Sequence, residues 1–76
     1  MIKTVDKMKR GEKGRVVSLG SSGALRCRLI DLGITPGATI VLQKAAPLGD
    51  PLQLCVRGYE LTIRKHECSE IKVEII

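Results

Sequence analysis

Four side chains in this 76-residue chain could do soft-metal or nucleophilic chemistry: Cys27, Cys55, Cys68 and the single histidine, His66. Fe2+ and Zn2+ accept thiolate and imidazole ligands, and a zinc site gathers three or four of them, usually with recognisable pair spacing. That spacing is absent. There is no C-x-x-C, and His66-Glu67-Cys68 supplies only two donors. Cys27 and Cys55 fall out of phase with the apolar positions around them, and Cys68 follows the last hairpin pattern, so all four donors are expected at the surface. Two chains sharing them could trap a Zn2+ ion, which would make a metal-mediated or weak homo-oligomer. Nothing in the pattern requires a cofactor. Catalysis has less still to work with. Lys65 and His66 beside Cys68 would lower a thiol pKa, but a nucleophile also needs a base held by a third group, and none is in place. The carboxylates are dispersed, and no glycine-rich loop leads into a Lys-Ser or Lys-Thr pair. The chain reads as a non-enzyme.

What must position these groups is one small domain, residues 1–76. A chain of this length buries only about 60% of the surface its unfolded form exposes. With 43% hydrophobic and 28% charged residues it has the composition of a folded domain, yet it holds one Tyr and no Phe or Trp, so the core must be aliphatic. The N-terminal stretch MIKTVDKMKRG has no apolar h-region, and no apolar run approaches the roughly 18 residues of a membrane span. Three cysteines cannot all pair internally, and a reducing, cytoplasmic setting is the simpler expectation. The net charge of +5 is scattered along the chain. Nucleic-acid binding on a small barrel would have that charge but lacks the aromatic platforms that single strands stack on, so no nucleic-acid partner is expected. A groove for polyproline fails for the same want of aromatic rings.

Apolar periodicity gives the elements. Val5 to Lys9 fits one helical turn with Val5 and Met8 inward. Arg15 to Leu19 reads as a first strand. Ser21 and Ser22 offer N-cap oxygens to a helix whose Leu25, Leu29 and Leu32 form one apolar stripe. Gly33 then fits a left-handed C′ residue, Ile34 its apolar partner and Pro36 the stop. Pro36-Gly37 suits a type II turn. From there the period becomes two: Ala38–Lys44, Leu52–Arg57, Tyr59–Arg64 and Ile71–Ile75 alternate apolar and polar residues, with Tyr59 counted among the inward set. Gly58 supplies the positive φ of a hairpin. Five strands with one helix between the first and second predict a mainly β fold, a small barrel.

The segment Pro47-Leu48-Gly49-Asp50-Pro51 stands apart, because it puts a leucine in a turn bounded by two prolines. Either Leu48 folds back onto the barrel, or the prolines hold it out in a stiff loop that loses little entropy on docking. On the helix, Arg26, Cys27 and Ile30 face away from the inward leucines, with Arg28 on the flank. Arg26, Arg28 and Ile30 therefore join the loop as candidate partner-binding residues.

Gly11-Glu12-Lys13-Gly14-Arg15-Val16, the run from Leu25 to Gly37, Pro47 to Pro51 and Arg57-Gly58-Tyr59-Glu60-Leu61 together resemble the FeoA family of ferrous iron transport proteins. The resemblance spans nearly the whole chain in the same order and spacing. It implies an SH3-like barrel, kinship with the C-terminal domain of metal-dependent repressors, and no enzymatic activity. It also implies a partner, the membrane G-protein permease FeoB that imports Fe2+. On that reading the chain is a cytoplasmic adaptor, held at the inner face of the membrane by its partner without inserting. The alternative is a transition-metal-binding or metal-responsive regulatory domain that uses its Cys and His side chains. Those side chains stand where the family mostly carries charged or small apolar residues.

Overall fold

The computed structural model describes residues 1–20 and 23–76 and contains six antiparallel strands. They are β1 (Ile2–Thr4), β2 (Lys13–Leu19), β3 (Thr39–Ala45), β4 (Leu52–Val56), β5 (Tyr59–Ile63) and β6 (Ile71–Ile75), hydrogen-bonded in the order β1-β6-β2-β3-β4-β5. A 3-10 turn over Val5–Lys7 follows β1, helix α1 (Ala24–Asp31) joins β2 to β3, and a one-turn helix α2 (Lys65–Cys68) joins β5 to β6. Register slips at Val16/Ser18 in β2 and at Leu42/Lys44 in β3. Such slips bend a strand and raise its twist, which is how a six-stranded sheet curls round one core while β1 and β5 remain its two ends. The architecture is the expected mainly β, SH3-like fold.

The alternation works as anticipated in most places. Ile40 and Leu42 of β3, Leu52, Leu54 and Val56 of β4, Ile63 of β5 and Ile71 and Val73 of β6 are buried in one aliphatic core with Val5, Met8, Val16, Leu29 and Ile34. Gly14 is buried on the inner face of β2, beside its partner strand β6. A Cβ there would lie 2.8 Å from the Val73 side chain, so the glycine leaves the space that this valine fills.

The exit of α1 shows how tightly the sequence dictates geometry. The Ile34 N–H donates to the Leu29 carbonyl at 3.0 Å and the Gly33 N–H to the Ile30 carbonyl at 2.9 Å, with Gly33 at φ +93°. This is a Schellman cap, and its apolar partner Ile34 is fully buried. The chain then turns through Thr35-Pro36-Gly37-Ala38, closed by an Ala38 N–H to Thr35 carbonyl bond of 2.9 Å. Gly37 takes the positive φ of +94° that a type II turn needs at its third residue. At the other hairpin both Arg57 (φ +53°) and Gly58 (φ +85°) are left-handed, the two-residue type I′ connection that matches strand twist.

Several expectations are corrected. The described residues form six strands, because Ile2–Thr4 pairs with β6; three residues are too few to show an alternation, and the pairing depends on a partner strand 70 residues away. Lys65–Cys68 is helical. Leu32 is 36% exposed: it is the C-cap of α1, where the helix has already turned off the core, and Ile34 fills the inward position in its place. Tyr59 is 73% exposed, since it opens an end strand directly after the tight turn, where no neighbouring element covers it. The Ser21-Ser22 cap lies outside the described residues; among those described, Gly23 stands at the N-cap of α1 without a side-chain cap bond.

Candidate functional site

The 46–51 loop joins β3 to β4 and is fixed at three points. The Gly49 N–H donates to the Ala46 carbonyl at 2.7 Å, closing a turn with Pro47 and Leu48 at its centre, and the Ala46 N–H donates to the Pro51 carbonyl at 3.0 Å. Outside the turn, Asp50 Oδ1 accepts the Lys65 N–H at 2.9 Å, which ties the loop to the first residue of α2. Proline presets φ at the first central position of such a turn, and Gly49 takes φ +82°; the Asp50–Pro51 peptide is cis. The outcome for Leu48 is unambiguous. It is 95% exposed, so it does not fold back onto the barrel.

Beside the loop is an open depression of about 320 Å3. The loop contributes Ala46, Pro47 and Pro51, and the outer sheet face contributes Lys44, Gln53 and Thr62 from three adjacent strands. Those three form one cross-strand row, Lys44 opposite Gln53 and Gln53 opposite Thr62. Gln53 Nε2 is committed within the sheet, donating to Gln43 Oε1 at 3.2 Å and to Glu60 Oε2 at 2.9 Å.

The outer side of α1 is the second candidate surface. Arg26, Cys27 and Ile30 are exposed, Ile30 to 40%, while Leu29 is fully buried beneath them. Arg28 is not free: its Nη1 pairs with Glu67 Oε2. Glu67 is the one buried charged residue among those described, and its other oxygen accepts the Arg64 N–H at 3.2 Å. The four-residue α2 thus holds α1 through Arg28–Glu67 and the loop through Lys65–Asp50, so both candidate surfaces are braced by the same helical turn. Sequence reasoning missed Glu67 as an organising residue. The signal was the N-cap-to-N3 spacing of Arg64 and Glu67, obscured because a capping box normally begins with Ser or Thr.

The thiol and imidazole donors are dispersed. Cys27 is exposed on α1, Cys55 is half-buried on the outer face of β4, His66 is exposed on α2, and Cys68 is fully buried. Among the described residues no group of three or more His, Cys, Asp or Glu side chains is placed to hold a metal ion. The expectation that Cys68 lies at the surface with a lowered pKa is therefore overturned. Burial pushes its thiol up to about 12, and the carboxylates of Asp6, Glu67 and Asp50 add to the rise. Its Sγ lies 4.0 Å from the Ile63 carbonyl. As a core residue Cys68 is a small apolar filler, since a thiol at that pKa supplies no thiolate near neutrality.

The FeoA domain model matches residues 3–75. The chain belongs to the FeoA family. A relative from Porphyromonas gingivalis, described as an Fe(2+) transport protein A/Fe(2+) transporter FeoB fusion protein, is 30% identical over 66 residues, which are 87% of this chain and 8% of the fusion protein. The chain therefore spans under a tenth of that relative's length. Among solved structures, an iron uptake regulatory protein (FeoA) superposes with a TM-score of 0.93 at 30% identity, covering 100% of both chains. FeoA from Chlorobium tepidum gives a TM-score of 0.90 at 37% identity over 96% of this chain and 70% of the other. Two more distant likenesses speak to the fold alone. Stenotrophomonas maltophilia FeoA complexed with zinc reaches a TM-score of 0.82 at 23% identity, covering 93% of this chain and 88% of that one. T. acidophilum IdeR reaches 0.87 at 16%, with 99% of this chain on 34% of that one. The expected likeness to a domain of metal-dependent repressors is thus found in the fold.

Proposed function

We propose that this chain is a non-enzymatic accessory protein of ferrous iron uptake, which docks on a FeoB-type membrane permease from the cytoplasmic side and promotes transport. The observation that carries the reading is the braced loop: a leucine almost wholly in solvent, on a turn closed by 2.7 and 3.0 Å backbone bonds. A large apolar side chain held out on a stiff loop is costly in water and inexpensive to dock, because little conformational freedom remains to be lost. The Porphyromonas gingivalis fusion supports FeoB as the partner, since it joins a FeoA-like segment and a FeoB transporter in one chain. No helix among the described residues is long and apolar enough to cross a membrane, which fits attachment through a partner. Pro47, Leu48, Gly49, Asp50 and Pro51 form the contact, with Arg26 and Ile30 of α1 as a second patch and Arg28 bracing it from the flank.

The test is co-purification of the tagged chain with its FeoB from a membrane extract. Leu48→Asp is expected to cut recovery about tenfold or more, as loss of a central apolar anchor does, with an unchanged circular dichroism spectrum and melting point. Undiminished recovery would rule out Leu48 as the anchor. The metal-carrying alternative would need Cys and His side chains that converge, and those of the described residues do not. Fe2+ enters the proposal as the permease's cargo.

A further inference from the structure

The depression beside Leu48 is flanked by more positive than negative side chains. Lys44 lines it on one side. On the other, Ile63 pairs with Leu52, which sets the next residue, exposed Arg64, beside Pro51 at the rim, and Lys65 follows at the start of α2. None of Lys44, Arg64 and Lys65 has an ion-pair partner among the described residues. Of the neighbouring carboxylates only Glu67 is ion-paired, with Arg28; Glu60 and Asp50 keep their charge, bonding the neutral Gln53 amide and the Lys65 N–H. Three cations against two uncompensated carboxylates leave the surface around the exposed leucine with an excess of positive charge. Charge complementarity of this kind selects the partner and speeds encounter more than it adds raw affinity.

We propose that the partner segment recognised here is acidic, with a carboxylate side chain seated in the depression between Lys44 and Arg64 and an adjoining apolar residue against Leu48. The proposal rests on the docking reading above and names the chemistry of its occupant. Thr62 Oγ1, exposed on the floor, is the neutral donor for that carboxylate. The free volume of about 320 Å3 has room for an acidic side chain and part of its neighbour but not for a helix.

The test uses the isotope-labelled full chain and three probes: a Glu-Leu-Glu-Glu-Leu-Glu peptide, its Lys-Leu-Lys-Lys-Leu-Lys counterpart and inorganic phosphate. The acidic peptide is expected to shift the amide signals of Lys44, Leu48, Gln53 and Thr62, weakening several-fold as salt is raised from about 50 to about 300 mM. Lys44→Glu combined with Arg64→Glu is expected to weaken it at least tenfold while the rest of the spectrum stays in place. Equal shifts from the basic peptide, shifts from phosphate matching the acidic peptide, or no shift at all would each overturn the proposal. FeoB co-purification separates it from the docking reading. Recovery lost with Leu48→Asp but kept with the Lys44/Arg64 double variant sinks the acidic partner alone, whereas recovery kept with both sinks docking by this loop.

Discussion

At the scale of single residues, the three cysteines show how little sequence neighbours say about a side chain's chemistry. Lys65 and His66 flank Cys68 in the chain, yet the one-turn helix directs that thiol into the core, where desolvation outweighs any nearby positive charge. Labelling with a thiol reagent at pH 8 should therefore modify Cys27 quickly and half-buried Cys55 more slowly. Cys68 should react only after denaturation, so fast modification of all three native thiols would refute its placement. Glu12 titrates in the opposite sense. Its carboxyl is held below the ordinary value of 4.5, first by the Lys9 N–H at 2.8 Å and then by the Lys3 ammonium at 3.1 Å. A depressed folded-state pKa contributes stability that is complete above the unfolded value and is lost as pH falls through the folded one. Glu12→Gln should thus be less stable than the parent at pH 7 by urea unfolding, and the gap should close below pH 4.5. A gap that does not change with pH would mean that Glu12 acts through packing alone.

At the scale of elements, what was legible followed from local rules. Gly33 and Pro36 end α1 where they should, Pro36-Gly37 and Gly58 make the expected turns, and the period of two in β4 puts Leu52, Leu54 and Val56 inside. What was hidden depended on partners distant in sequence. β1 exists because β6 offers it an edge, and α2 is a single turn held by Glu67 and Asp50 rather than by any apolar stripe. The candidate site divides the same way: two prolines bracketing a leucine marked the loop but left open whether Leu48 folds back or points outward, which its exposure decides, while the basic rim needed the pairing of β4 with β5 to become visible. Gly14 shows the limit from the other side. Its role cannot be read from a glycine in a strand, because it lies in the 2.8 Å approach of a would-be Cβ to Val73. Gly14→Ala should cost about 1–3 kcal/mol in chemical denaturation, the usual penalty for overpacking a filled core. A neutral Gly14→Ala would show that the Val73 side chain can shift without loss, and Gly14→Val should be worse than Ala if Val73 lies as close as the geometry requires.

For the whole molecule, the arrangement that braces the 46–51 loop and α1 also keeps the soft ligands apart. α1 carries Cys27 outward, β4 carries Cys55 on the outer sheet face, α2 shows His66 to solvent, and the core encloses Cys68. Bringing three of them round one ion would mean unpacking α2, which breaks the Arg28–Glu67 and Asp50–Lys65 ties together. A tetrahedral zinc site needs three or four ligands at about 2.0–2.3 Å, so one folded copy does not supply it. Any Zn2+ affinity should then arise between molecules, through the exposed Cys27 and His66. Calorimetric titration of Zn2+ into the reduced chain at low micromolar concentration should give negligible heat. At high protein concentration binding should appear together with a doubled mass in sedimentation, and Cys27→Ser should remove both. A tight one-to-one site on a monomer that survives Cys27→Ser would instead require the helices to leave the barrel on binding, and would favour a metal-responsive role over that of a rigid adaptor.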